Sequence, residues 1–352
     1  MTVPAAPPAA PSPTAAGRPR PGRVVLPGGS GQVGRVLARH FAAAGADVVI
    51  LTRSPGDGAR DGDGDGASPG HPGRRVRWDG RTVADAWAAE LDGAACVVNL
   101  AGRSVNCRYH AKNRAAITDS RLDSTRAVGE ALARCSSPPP VWLQSSTATI
   151  YPHTPEGPAN GEDAAVEAAE SDPDTWRFSF GVARDWEAAA NAYRDRLPGT
   201  RVVLMRSAMV MSPDPGGVFD VLLGLVKARL GGRQGDGRQF VSWVHDADFC
   251  AALDRLADDD SFAGPVNLAA PNPLPNAEFM KALREAAGVR FGLPATAAMV
   301  EIGAVFMRTE SELVLKSRKV VPKALLDAGF TFRFPNWPAA AADLVRRHGE
   351  RT

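Results

Sequence analysis

The chain has 352 residues, 44% of them hydrophobic, and its 41 Lys and Arg nearly balance 39 Asp and Glu. That length can bury a full core with a smaller lobe beside it, and a formal charge of +2 leaves no basic footprint for a nucleic-acid backbone or an anionic membrane surface. The four scattered cysteines, Cys96, Cys107, Cys135 and Cys250, show neither CxxC nor metal spacing, and no run approaches the roughly 20 apolar residues that span a bilayer, so a cytoplasmic protein with free thiols is expected.

Residues 1–22 are dominated by Pro and Ala and are expected to form a disordered tail. A first strand over Val24–Leu26 then feeds the loop Gly28-Gly29-Ser30-Gly31-Gln32-Val33-Gly34, behind which Val33, Leu37 and Phe41 recur at helical spacing. In this strand–loop–helix setting Gly28 suits a tight turn, Gly31 a close approach of backbone to a pyrophosphate, and Gly34 tight helix packing. Ser30, Gln32 and Val33 would donate hydrogens at the helix N-terminus. A second strand, Val48–Thr52, ends on Arg53, a cation where an NAD-preferring chain would carry an acid, so NADP(H) is the expected cofactor, with NAD(H) possible.

Residues 56–73 are almost all Gly, Asp, Pro and Arg and read as a disordered insertion. Within them Asp61, Asp63, Asp65 and Gly66 imitate the start of a calcium loop, but Pro72 stands where the bidentate Glu is needed, so no metal is expected. Further strands are expected at Cys96–Leu100, Val141–Ser145 and Val202–Arg206, with helices through Leu122–Leu132 and Trp186–Tyr193. The fold class is therefore α/β: a Rossmann-type doubly wound parallel sheet with a smaller C-terminal substrate lobe. The boundary is expected near residue 213, with 23–213 binding the dinucleotide and 214–352 forming the lobe, some of its strands returning to the main sheet.

Gly28-x-x-Gly31-x-x-Gly34, Asn99-Leu100-Ala101-Gly102 and Gln144-Ser145-Ser146-Thr147-Ala148-Thr149-Ile150-Tyr151 together resemble the extended short-chain dehydrogenase/reductase superfamily. Arg108-Tyr109, Ile117-x-x-Ser120-Arg121, Asp185-Trp186-Glu187 and the stretches 237–245 and 264–273 narrow the resemblance to its atypical epimerase-family, sugar-nucleotide-epimerase-like group. Val321-Pro322-x-x-Leu325-x-x-Ala328-Gly329-Phe330-x-Phe332 resembles that group's C-terminal segment, spanning about 295–347 here. The resemblance implies cofactor contacts from Leu100, Ala101 and Gly102 at the ribose, from Ser145 beside the nicotinamide, and from Trp78-Asp79 near the adenine. Arg206, on a polar rim with Gln239 between the lobes, joins them.

The superfamily's catalyst is a Ser or Thr with a Tyr-x-x-x-Lys pair. Thr147 matches the first place, whereas counting back from Trp186-Glu187 puts the pair on Ser179 and Ala183, which can supply neither a phenol nor a cation. Tyr151, on the loop leaving the fifth strand with Thr147, becomes the leading acid/base candidate, against the alternative of a buried aromatic with its hydroxyl bonded. Tyr109 and Arg121 flank the loop after Gly102 and could set a cation over a substrate carboxylate or phosphate. Gln239 and His245 are the other expected substrate contacts, His245 against a packing or capping role. The expected function is an NAD(P)-dependent oxidoreductase or epimerase acting on a small polar metabolite, as a monomer or homodimer. The missing pair leaves a non-catalytic dinucleotide-binding sensor or scaffold as the alternative.

Overall fold

Runs of aliphatic residues that are apolar on both faces form strands buried between two layers of helix. Arg23–Pro27 (β1), Asp47–Thr52 (β2), Cys96–Asn99 (β4), Val141–Thr147 (β5) and Arg201–Ser207 (β6) are such strands, and the arginine-rich Arg74–Arg77 (β3) joins them at the edge of the sheet. Three short strands, Met209–Met211 (β7), Phe240–Val241 (β8) and Trp243–His245 (β9), precede Gly264–Leu268 (β10) and Leu274–Pro275 (β11). In this computed structural model, which describes residues 22–54, 72–306 and 310–351, seven strands make one sheet in the order β10-β6-β5-β4-β1-β2-β3. Every pairing in it is parallel. Apart from Gly22, Pro72 and Gly73, the stretches expected to be disordered lie outside the described residues.

Alternation along the strands divides the core. Val24, Leu26, Val48, Ile50, Val98 and Leu143 meet Leu37 and Phe41 of the helix Gln32–Ala43 and Phe249, Leu253 and Leu256 of the helix Asp246–Asp258. Val25, Val49, Val97, Trp142 and Leu204 face the other way, onto Val128 and Leu132 of the helix Ala111–Leu132 and Ala190 of the helix Asp174–Asn191. Burying each large aliphatic side chain stabilises the fold by about 1.5–3 kcal/mol. A third core lies in the C-terminal half, where Trp337 stacks on Phe279 at 4.1 Å and meets Trp243 edge-on at 5.0 Å. Among the described residues no helix is long and apolar enough to cross a membrane.

The C-terminal segment returns to the carboxyl edge of the sheet and straps the loop after β5. The N–H of Ser317 donates to Nδ1 of His153 at 2.9 Å, that of Asn160 to the carbonyl of Lys319 at 2.7 Å, and that of Val321 to the carbonyl of Asn160 at 3.0 Å. Lys316 Nζ donates to the carbonyl of Thr149 at 3.0 Å.

Candidate active site

The strand order reverses between β1 and β4, and open parallel sheets present ligands in the crevice beyond their carboxyl ends at such a point. β1 runs into Gly28, whose φ of +74° favours glycine. A Cβ there would lie 2.5 Å from Cα of Ala101, so the loops leaving β1 and β4 touch backbone to backbone. A Cβ on Gly34 would run into the carbonyl oxygen of Gly29, which is how the following helix comes to pack against the loop.

Gly31 differs. A Cβ there meets nothing within 4 Å, and the residue N-caps the helix Gln32–Ala43 with no side-chain cap. The first-turn N–H groups therefore have no side chain to satisfy them, beside exposed Ser30 and half-buried Gln32 and Val33, with the positive end of the helix dipole behind them. Nε2 of Gln32 is buried near Gly217 with no hydrogen-bond partner among the described residues. This cradle can hold the pyrophosphate of a dinucleotide.

The register Thr52↔Arg77 brings Arg77 of β3 beside Arg53 at the end of β2. With Trp78, Asp79, Thr82, Ala84 and Trp87 they line an open cavity of about 400 Å³. Neither guanidinium has an ion-pair partner among the described residues. Asp79 accepts hydrogen bonds from the hydroxyl of Thr82 at 2.6 Å and the N–H groups of Thr82 and Arg81 at 2.9 and 2.8 Å. These bonds, the Thr82 hydroxyl foremost, hold its carboxyl below the usual range. The turn they cap shapes the cavity wall.

Past Gly102, whose added Cβ would sit 3.3 Å from the guanidinium carbon of Arg121, a smaller cavity of about 130 Å³ opens. Four parts of the chain build it. Thr147 and Thr149 come from the end of β5 and Ser179, Ala183 and Trp186 from the helix Asp174–Asn191. Tyr109 and Arg121 come from around the helix Ala111–Leu132, and Glu312 and Arg318 from the C-terminal segment. Thr147 Oγ1 accepts from the N–H of Thr149 at 3.1 Å, leaving its own hydrogen to donate. Ser179 Oγ donates to Glu312 at 2.6 Å, and Arg318 reaches the same carboxylate at 3.4 Å. The phenol of Tyr109 lies beside Ser179, and burial together with Glu312 pushes it up to about 12. Burial likewise raises the carboxyl of Glu312.

A model of the NAD dependent epimerase/dehydratase family matches residues 24–269. The chain belongs to that family. A second model, a domain of unknown function (DUF1731), covers residues 295–344. The human epimerase family protein SDR39U1 is 30% identical over 329 residues, covering 92% of this chain and 99% of that protein. The crystal structure of human SDR39U1 with NADPH superposes with a TM-score of 0.75 at 29% identity, again over 92% of this chain and 99% of that one. UDP-N-acetylglucosamine 4-epimerase from Bacillus cereus, with a TM-score of 0.63 at 15% identity over 94% of this chain and 99% of that one, shares the fold.

Within this epimerase-family fold, Leu100, Ala101, Gly102, Ser145 and Thr147 stand along one carboxyl edge, as expected from the strand ends. Four expected site residues stand elsewhere. Tyr151 is 1% exposed, its hydroxyl donating to Asn267 at 2.8 Å and accepting from Arg206 at 2.9 Å, so it faces the core and not the cavity. Arg206 is buried, with Nε and Nη2 on Glu187 at 2.9 Å and Nη1 on Tyr151 at 2.9 Å, so it braces the interior and does not line the cofactor edge. His245 accepts from the N–H of Ala247 at Nδ1, capping the helix that follows, contacts Asp343 through Nε2 and stacks on Phe334 at 3.9 Å. Burial lowers its pKa, and it lines neither of the two cavities described above. Gln239 donates to the carbonyls of Gln234 and Val314 and braces the C-terminal segment.

Arg77, Glu312 and Arg318 were missing from the expectation. Arg77 was missed with its strand, since Arg74–Arg77 is mostly arginine and carries no apolar alternation. Glu312 lies 133 residues from Ser179, and no local pattern points across that gap.

Proposed function

We propose that the chain is an NADP(H)-dependent oxidoreductase or epimerase whose small polar substrate reacts in the cavity between Thr147, Tyr109 and Ser179. One observation carries the reading: the cradle at Gly31 and this cavity are neighbours along a single sheet edge, joined through Ala101, Gly102 and Arg121. The cradle fits a pyrophosphate, and Arg53 with Arg77 supplies cations suited to a 2′-phosphate, in keeping with the NADPH held by human SDR39U1. NADPH, when bound, supplies a hydride to a carbonyl. Thr147 donates its free hydroxyl hydrogen to orient the reacting oxygen. Tyr109, keeping its proton far above neutral pH, donates to that oxygen, and the bond from Ser179 to Glu312 fixes the hydroxyl beside it.

In this arrangement Ser179 and Ala183, where the superfamily's Tyr and Lys would fall, line the cavity without supplying chemistry, and Tyr109 enters it from another element. Glu312 and Arg318 of the C-terminal segment provide the far wall, which supports reading 214–352 as a substrate lobe. The test is single-turnover NADPH oxidation over a panel of small carbonyl compounds. Tyr109→Phe should slow it by about 10²- to 10⁴-fold, and Tyr151→Phe should leave it within about threefold of wild type. An unimpaired Tyr109→Phe variant would remove Tyr109 as donor, and no oxidation with any carbonyl would favour a dinucleotide-binding sensor.

A further inference from the structure

The proposed reaction leaves open what kind of molecule fills the 130 Å³ cavity, and three features of its walls bear on that. The first is size. Pockets for drug-sized ligands run to about 300–1,000 Å³, so this one suits a short molecule and is far too small for a sugar nucleotide. The second is charge. Arg318 and Glu312 form a pair at 3.4 Å and offset each other, which leaves Arg121 as the uncompensated charge among the lining residues.

The third is hydrogen-bond capacity. Nη1 of Arg121 donates to the carbonyls of Arg103 and Ile117 at 3.1 and 3.0 Å, and the guanidinium lies 4.9 Å over the ring of Trp186. Nε and Nη2, the edge that grips a carboxylate with two parallel bonds, have no partner among the described residues. Across the cavity Nε of Arg318 is buried without a partner. A buried guanidinium donor left unmet, as Nε of Arg318 is, is costly, and an incoming anion could satisfy it together with the free edge of Arg121. The remaining walls, Val105, Ile117, Phe178, Val182 and Trp186, are apolar.

Resting on the functional reading above, we propose that the substrate is a short aliphatic carboxylic acid carrying the reacting carbonyl or hydroxyl. Its carboxylate would be held on the free edge of Arg121 and its chain against the apolar wall. Thr147 and Tyr109 would then face the carbon next to the carboxylate.

Two nearly isosteric probes test this: 2-oxobutanoate, which carries the carboxylate, and pentane-2,3-dione, in which an acetyl group replaces it. Each is titrated calorimetrically into the protein with and without NADP⁺, and NADPH affinity is followed separately by fluorescence. The acid should bind about ten- to a hundredfold more tightly than the diketone, and Arg121→Met should erase that preference while NADPH affinity stays the same. Equal binding of the two probes by the wild-type protein would overturn the proposal without reliance on any variant. So would an Arg121→Met protein that loses NADPH and keeps the acid, since Arg121 would then serve the cofactor. If NADPH fails to bind while the acid binds through Arg121, the anion site stands and the cofactor reading falls.

Discussion

Tyr151 and Tyr109 show how two residues of the same type come to different roles through their surroundings. Tyr151 shares a buried chain of hydrogen bonds with Ser146, Glu187, Arg206 and Asn267, and every polar group in that chain has a partner. Tyr109 stands at a cavity wall beside Ser179 and two arginines. Lys316 makes a prediction at the same scale. Burial lowers its pKa from an ordinary 10.5 to about 8. Between those values the unfolded chain binds the proton more strongly, so stability rises with pH across the window as the buried charge is relieved. Chemical denaturation of wild type and Lys316→Met at pH 7.5 and 10.5 should show the wild type gaining on the variant by on the order of a few kcal/mol. A constant difference between the two would mean that Lys316 is not desolvated.

At the scale of elements, the turn from β1 into the helix Gln32–Ala43 separates packing from binding. Gly34 is closed in by the backbone of Gly29, whereas Gly31 faces open space. Gly34→Val should therefore unfold the loop and lower the melting temperature by several degrees, as a loss of about 2–3 kcal/mol implies. Gly31→Val should cost only about 1 kcal/mol, mainly as a poor N-cap, yet abolish NADPH binding. Thermal melting with and without NADPH reads both variants, and a Gly31→Val protein still stabilised by NADPH would count against the cradle. These elements were legible because period and punctuation agree: the strand, the glycine spacing and the amphipathic helix each point the same way. The strand Arg74–Arg77 was not, since its four residues are mostly arginine and carry no apolar alternation.

For the whole molecule, a doubly wound parallel sheet was legible from five apolar runs separated by helical patterns, which form β1, β2, β4, β5 and β6, while β3 and β10 complete the sheet. The substrate side was harder to read. Its walls join residues from Val105 to Arg318, brought together by the strap that ties Ser317, Lys319 and Val321 to the loop after β5. Local patterns carry no record of such contacts, so the sequence pointed to Tyr151 for its place with Thr147 on the loop leaving the fifth strand, to Arg206 and Gln239 as a rim between the lobes, and to His245 against a packing or capping role. Only the packed fold distinguishes a side chain that lines a cavity from one that braces it.

The claim on which the rest depends is that the sheet edge binds NADP(H), with the 2′-phosphate read by Arg53 and Arg77. The most direct measurement is a fluorescence titration of NADPH and of NADH into the wild-type protein and into the Arg53→Ala/Arg77→Ala double variant. The wild type should bind NADPH more tightly than NADH, and the double variant should lose roughly ten- to a hundredfold for NADPH while holding NADH nearly unchanged. Equal loss for both cofactors, or a wild-type protein that leaves NADPH fluorescence unchanged, would contradict it.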